Sequence, residues 1–258
     1  MIRFTIVTCV YNAEKVFRRT AESVLAQTYR GVEHLILDGA STDNTLIEAK
    51  DYMERSYASG LGHEVRITSE PDNGLYDAMN KGITQASGDY LVFLNAGDVL
   101  PSADTLDKIS QAVVEGENLP AVLYGDTDVV DADGHFLRHR RLSPPENLTW
   151  RSFRYGMLVC HQAFYVRTDI AKITPYNISY KYSADVDWCI RVMKTAEQQH
   201  LPLKNIHAVV VNYLDGGMSI KNHKASLKER YHLMVHHYGT ATTLMMHGWF
   251  LLRSLLKK

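Results

Sequence analysis

The most constraining feature of this chain is the alternation of apolar and amphipathic segments in its first hundred residues, each apolar run stopping at a polar cluster. Phe4 to Val10 is a largely apolar run that reads as a strand. In Glu14 to Gln27, Val16, Ala21, Val24 and Leu25 share one helical face. His34 to Leu37 is a second buried strand, ending in Asp38-Gly39-Ala40-Ser41-Thr42-Asp43, where Ser41 or Thr42 is suited to cap a helix over Thr45 to Arg55. Val65 to Ser69 is a third strand. The turn Pro71-Asp72-Asn73-Gly74 leads from it into a helix over Leu75 to Ala86, and Tyr90 to Leu94 is a fourth strand. This alternation predicts an α/β fold, a mostly parallel sheet flanked by helices. Ligands of such sheets bind beyond the carboxyl ends of the strands, and Asp38, Glu70 to Asn73 and Asn95 to Asp98 all fall there.

After Pro101 the pattern changes. Ala121 to Val130 and Phe136 to Arg140 read as strands around the turn Asp131 to Gly134, and Gln162 to Val166 and Leu203 to Leu214 as further strands. Ala184 to Gln198 and Lys221 to Tyr238 read as helices. The expected organisation is a first half (1–100), a second half of the same domain (101–220) and a C-terminal helical extension (221–258). No Pro/Gly/Ser-rich linker divides them.

A net charge of −1 gives no sign of a nucleic-acid partner. Cys9, Cys160 and Cys189 form no CxxC pair and suggest neither a disulfide framework nor a zinc site, which points to a reducing, cytoplasmic setting. His232 and His236 have the i,i+4 spacing of a zinc pair but no third ligand in sequence, and read as a solvated helix face. The run Ala241 to Leu256 is interrupted by His247 and Arg253 and is too short to cross a bilayer core of about 30 Å. It suits either an interfacial helix, in peripheral contact with the inner face of the cell membrane, or a helix that covers the domain or a dimer partner.

Four segments in order, TIVTCVYNA (5–13), LILDGASTDNT (35–45), SEPDNGLYDAMNKGITQASGDYLVFLNAGD (69–98) and SADVDWCIR (183–191), resemble glycosyltransferase family 2 over roughly residues 3–195. The third segment is similar to the branch that assembles bacterial surface polysaccharides. The resemblance implies a GT-A fold, with a nucleotide-sugar-binding half (1–100) and an acceptor-binding half (101–220), and an inverting transfer from a nucleotide diphosphate sugar, UDP-sugar favoured, to a hydroxyl of an oligosaccharide or lipid-linked acceptor.

It also implies roles for residues. Asp38 is expected to accept from the uracil N3–H, with Thr8 and Val10 supplying backbone contacts; a turn or helix-capping role is the alternative. Glu70, Asn73, Lys81 and Asn95 are expected around the nucleotide, though a helix lysine is more commonly solvated. Asp98 is the expected ligand of Mg2+ or Mn2+, hard cations often held by one or two carboxylates plus diphosphate oxygens. The chain departs from the family's Asp-x-Asp-Asp here, with Asn95-Ala96-Gly97-Asp98, which puts metal dependence in question. Asp185 is the expected general base. Asp187, two residues on, points elsewhere, to cap or to be solvated unless it joins His161 and Gln162 on the acceptor side. The turn Asp215 to Ser219 is suited to closing over the donor. The competing readings are a sugar nucleotidyltransferase, disfavoured because TCVYNAEKV has no glycine, and a catalytically weak nucleotide-sugar-binding module.

Overall fold

The computed structural model describes residues 1–113, 118–216 and 223–255. The first half is β1 (Phe4–Val10), α1 (Glu14–Leu25), β2 (Val32–Asp38), α2 (Thr45–Ala58), β3 (Glu64–Ser69), α3 (Leu75–Gln85) and β4 (Tyr90–Phe93). The second half is α4 (Thr105–Gln111), β5 (Val122–Val130), β6 (Phe136–His139), β7 (Phe164–Arg167), α5 (Thr168–Ile173), α6 (Ala184–Gln198) and β8 (Leu203–Leu214), followed by α7 (His223–Tyr238) and α8 (Thr240–Leu255). All eight strands join one mixed, mostly parallel sheet. β3, β2, β1 and β4 run parallel in that order, and β7 then pairs antiparallel with both β4 and β5. β8 lies parallel along β5, so β7 and β6 share the other edge of β5, at its two ends.

β1, β2 and β4 are buried on both faces, whereas the edge strand β3 alternates polar and apolar residues and is only partly buried. Ile36 and Val10 pack with Phe17, Ala21, Ala49 and Tyr52 of α1 and α2. Leu35, Leu37 and Val7 point to the other side and join the main core with Met79 and Ile83 of α3. Gly82 lets α3 sit this close, since a Cβ there would lie 2.5 Å from Val7 Cγ1. The main core runs on through Tyr124, Phe164, Tyr165 and Trp188.

The segments the sequence leaves unassigned are short: α4, α5 and a 3-10 turn at Trp150–Tyr155. One assignment changes. Gln162 does not open a strand; His161–Ala163 is a 3-10 turn, and the strand begins at Phe164. Coiling this stretch frees the His161 and Gln162 side chains from sheet alternation. The cap expected of Ser41 or Thr42 is not made: Asn44 is the N-cap of α2, with no side-chain capping bond. Asp43 Oδ1 accepts the Thr45 N–H at 3.0 Å, while the Ser41 hydroxyl accepts the Asn12 N–H at 2.8 Å.

Candidate active site

β4 ends in a turn held from three sides. The Asp98 N–H donates to Asn95 O at 3.0 Å, and Gly97 has φ +101°. The Thr20 hydroxyl of α1 accepts the Gly97 N–H at 2.8 Å and donates to Asp98 O at 2.7 Å. Val99 exchanges both backbone bonds with Asn212, at 3.0 and 2.9 Å, tying the turn to β8. A Cβ on Gly97 would meet Leu214 Cδ2 at 2.7 Å in addition to the strain of its φ, so a side chain at this position is strained and displaces the tip of Leu214.

Asp98 is 3% exposed. Its Oδ1 accepts the Leu214 N–H and its Oδ2 the Gln162 amide, each at 2.9 Å. Burial pushes its carboxyl up to about 6, against the pull of those two donors and of His161 and Arg19. A carboxylate penned in this way is poised for a cation. Each oxygen keeps a lone pair, and Asn95, its amide nitrogen toward His161, stands in the same turn. That hard-oxygen set fits Mg2+ or Mn2+ if diphosphate oxygens complete it.

Across the 3-10 turn stands Asp185, in the first turn of α6. Its Oδ2 lies 3.5 Å from His161 Nδ1, and its Oδ1 accepts the Val186 N–H at 2.9 Å. The other ring nitrogen of His161 is 3.3 Å from Asn95 Nδ2. An amide donating to Nε2 leaves the ring proton on Nδ1, facing Asp185. Burial raises the Asp185 carboxyl, but His161, Arg230 and the Val186 N–H together outweigh it and hold it below the usual carboxylate range. Beneath it Tyr76 stacks on Tyr176 at 5.4 Å and Tyr176 on Trp188 at 4.7 Å. Asn80 fixes Tyr176 by two bonds to its backbone, at 2.7 and 3.0 Å.

At the end of β2, Asp38 is 2% exposed, accepts the Ser69 hydroxyl at 2.6 Å and takes the Ser41 N–H on both oxygens at 3.2 Å. It lines a shallow recess with Glu70, Asp72 and Lys81. Lys81 is engaged by Glu70 at 2.7 Å and by Pro71 O at 3.0 Å. Asn73 turns back to Asp77, its N–H 3.0 Å from Oδ2.

Thr8, Val10 and Asp187 are all buried. The Thr8 hydroxyl is buried, donating to Leu94 O at 2.8 Å with His34 Nε2 at 2.9 Å, and the Val10 carbonyl takes the Gly39 N–H at 2.9 Å. Asp187 is neither solvated nor a cap. Its Oδ1 meets His237 Nε2 at 2.8 Å and its Oδ2 meets Arg191 Nε at 2.6 Å, which turns it from Asp185 toward α7. Of the turn after β8, only Asp215 and Gly216 lie within the described residues; Asp215 pairs with Arg138 at 3.0 Å. His232 and His236 are exposed. Among the described residues the one grouping of three ligand-type side chains is Asp131, Asp133 and His135 in the β5–β6 turn. Sequence reasoning missed Leu214, Glu229 and Arg230, which reach the site from β8 and α7 and carry no local motif.

Residues 5–173 match the model of Glycosyl transferase family 2, and the chain belongs to that family. It is 35% identical over 219 residues, 84% of this chain and 78% of the relative, to a PGL/p-HBAD biosynthesis glycosyltransferase of Mycobacterium tuberculosis. It is a glycosyltransferase of GT-A fold. Staphylococcus aureus TarS 1–349 in complex with UDP-GlcNAc superposes with a TM-score of 0.68 at 17% identity, over 91% of this chain and 66% of that one. The mannosyltransferase PcManGT of Pyrobaculum calidifontis, in complex with GDP-Man and Mn2+, gives 0.58 at 14% identity over 93% of this chain and 64% of that one. The chain thus spans a little under two thirds of some of these structures.

Proposed function

We propose that the protein is an inverting transferase that moves a sugar from a UDP-sugar to an acceptor hydroxyl in surface-glycan assembly. One observation carries this reading: the dipeptide His161-Gln162 reaches Asp185 with one side chain and Asp98 with the other, at 3.5 and 2.9 Å. A donor-side and an acceptor-side carboxylate therefore flank one short turn. Asp38 receives the uracil, and Glu70 and Lys81 order the loop beside it. Asp98, with Asn95, would hold Mg2+ or Mn2+. When bound, the ion neutralises charge on the leaving group. Asp185, held ionised beside His161 and Arg230, takes the proton of the acceptor hydroxyl as its oxygen bonds to the anomeric carbon. The bond from that carbon to the diphosphate oxygen breaks on the opposite face, and UDP departs with the electron pair.

The acceptor in this reading is an oligosaccharide on a lipid carrier, met at a membrane face. No helix among the described residues is long and apolar enough to cross a membrane. Instead α8 buries Thr243 and Met246 and exposes Leu244, Met245, Trp249, Leu251 and Leu252. Residues 221–258 hold seven Lys and Arg against one acidic residue, Glu229, in a chain whose totals are 28 and 29. That asymmetry suits an anionic lipid surface. Sedimentation with phosphatidylglycerol vesicles, but not with phosphatidylcholine vesicles, is the expected result, lost in Met245→Glu. Equal binding to both refutes the charge argument.

The transfer reading is tested by UDP release from UDP-glucose, UDP-galactose and UDP-N-acetylglucosamine with Mn2+. At least one donor should turn over in the native chain and none in Asp185→Asn. Undiminished release by Asp185→Asn removes Asp185 as base.

A further inference from the structure

The helix that carries Asp185 begins without a cap of its own. Ser183 stands at the N-cap of α6 but makes no side-chain capping bond, and its hydroxyl is buried without a partner. The N–H groups leading into the helix go to another element. Glu229 of α7 accepts the Tyr182 and Ser183 N–H on Oε1, at 2.9 and 2.7 Å, and the Lys181 N–H on Oε2, at 2.8 Å. Three amides on one carboxylate are charge-assisted bonds, and they lie at the positive end of a 15-residue helix.

This arrangement bears on Asp185, two residues beyond. Anionic side chains in a first helical turn are drawn to unpaired N–H groups at that end. With Glu229 covering 181–183, Asp185 spends one oxygen on the Val186 N–H and turns the other to His161. A second contact fixes α7 against α6 two turns further on, where His237 meets the buried Asp187 at 2.8 Å. Lys194 of α6 lies 3.1 Å from the other ring nitrogen of His237. α7 is therefore latched to α6 at both ends of its contact, and Arg230, next to Glu229, adds positive charge toward Asp185.

We propose that Glu229 is a positioning residue of the active site, holding from α7 the backbone of 181–183 that leads into α6 so that Asp185 stays turned to the acceptor. The C-terminal extension is then part of the catalytic apparatus. The proposal rests on the reading of Asp185 as base.

The test uses the full chain with Glu229→Ala and Glu229→Gln. It reads UDP release from whichever UDP-sugar the native chain turns over, calorimetric UDP affinity with Mn2+, and amide hydrogen exchange at 181–183. Glu229→Ala should lower kcat by about tenfold to hundredfold, the scale of a small misplacement of a reacting group. Donor KM and UDP affinity should stay as they were, with faster exchange at 181–183. Glu229→Gln, whose amide oxygen accepts the Tyr182 and Ser183 N–H groups together, should recover most of the rate. An unchanged kcat, a loss of UDP affinity matching the loss of rate, or unchanged exchange in Glu229→Ala overturns the proposal alone. A native chain that releases no UDP from any donor removes the reading of Asp185 and this proposal with it.

Discussion

Gln162 donates its side-chain amide to Asp98 Oδ2 across 2.9 Å, in a place where Asp98 is 3% exposed. Together with the Leu214 N–H on Oδ1, this aims a carboxylate with so little water around it that its pKa rises to about 6. Such a group weakens the protein without ligand and serves it when a cation arrives, a common exchange of stability for function.

That exchange gives the first prediction. An acid whose pKa is raised on folding gains a proton more readily in the native state, so its stabilising contribution is present at low pH and lost as pH rises through about 6. Above that, the buried charge costs at most about 3 kcal/mol. Asp98→Asn keeps an acceptor for Leu214, and Gln162 can turn its amide to match. In EDTA at pH 8 the variant should melt higher by about 5 °C, the gain vanishing by pH 4, with sugar transfer lost. A lower melting point than the native chain at pH 8 contradicts the strain assigned to Asp98.

Restoring the family's carboxylate at Gly97 should do harm. A side chain there meets Leu214 and adopts φ +101°. Gly97→Asp is expected to cost about 1–3 kcal/mol in urea unfolding, and pairing it with Leu214→Ala should return part of the steric share. Stability equal to that of the native chain contradicts this account of the departure from Asp-x-Asp-Asp.

A buried chain of bonds predicts acid sensitivity. Tyr52 OH lies 2.8 Å from His34 Nδ1, and His34 Nε2 lies 2.9 Å from the Thr8 hydroxyl. Burial, with His63 adding repulsion, lowers the His34 pKa from 6.5 to about 3. Between those values the unfolded chain binds a proton that the folded one refuses, so stability falls as pH drops below 6.5, by about 1.4 kcal/mol per pH unit. In the Asp98→Asn background, where the opposing Asp98 titration is absent, urea unfolding should therefore show about 2 kcal/mol lost between pH 6.5 and 5. His34→Gln should remove most of that slope; an unaltered slope assigns the acid sensitivity to other groups.

The fold was legible because burial on both faces leaves a mark in sequence: Val7, Leu35 and Leu37 serve one side and Ile36 and Val10 the other. Asp38 and the Asn95 to Asp98 turn were legible because each stands at the end of such a run. The i,i+2 spacing of Asp185 and Asp187 correctly implied divergence, yet the destination of Asp187 was hidden, since His237 is fifty residues away. Glu229 and Leu214 were hidden for the same reason. Their roles follow from how α7 and β8 dock, and docking has no local period.

The most direct test of the central claim is calorimetric titration of UDP into the native chain and into Asp98→Asn, each with Mn2+ and with EDTA. The account predicts that the native chain binds UDP with Mn2+ and loses at least about tenfold in affinity with EDTA, a change of about 1.4 kcal/mol. Asp98→Asn should bind weakly and equally in both. Native binding indifferent to EDTA, or an Asp98→Asn variant that keeps the Mn2+ response, contradicts the assignment of Asp98 as the residue that holds the ion and, through it, the donor.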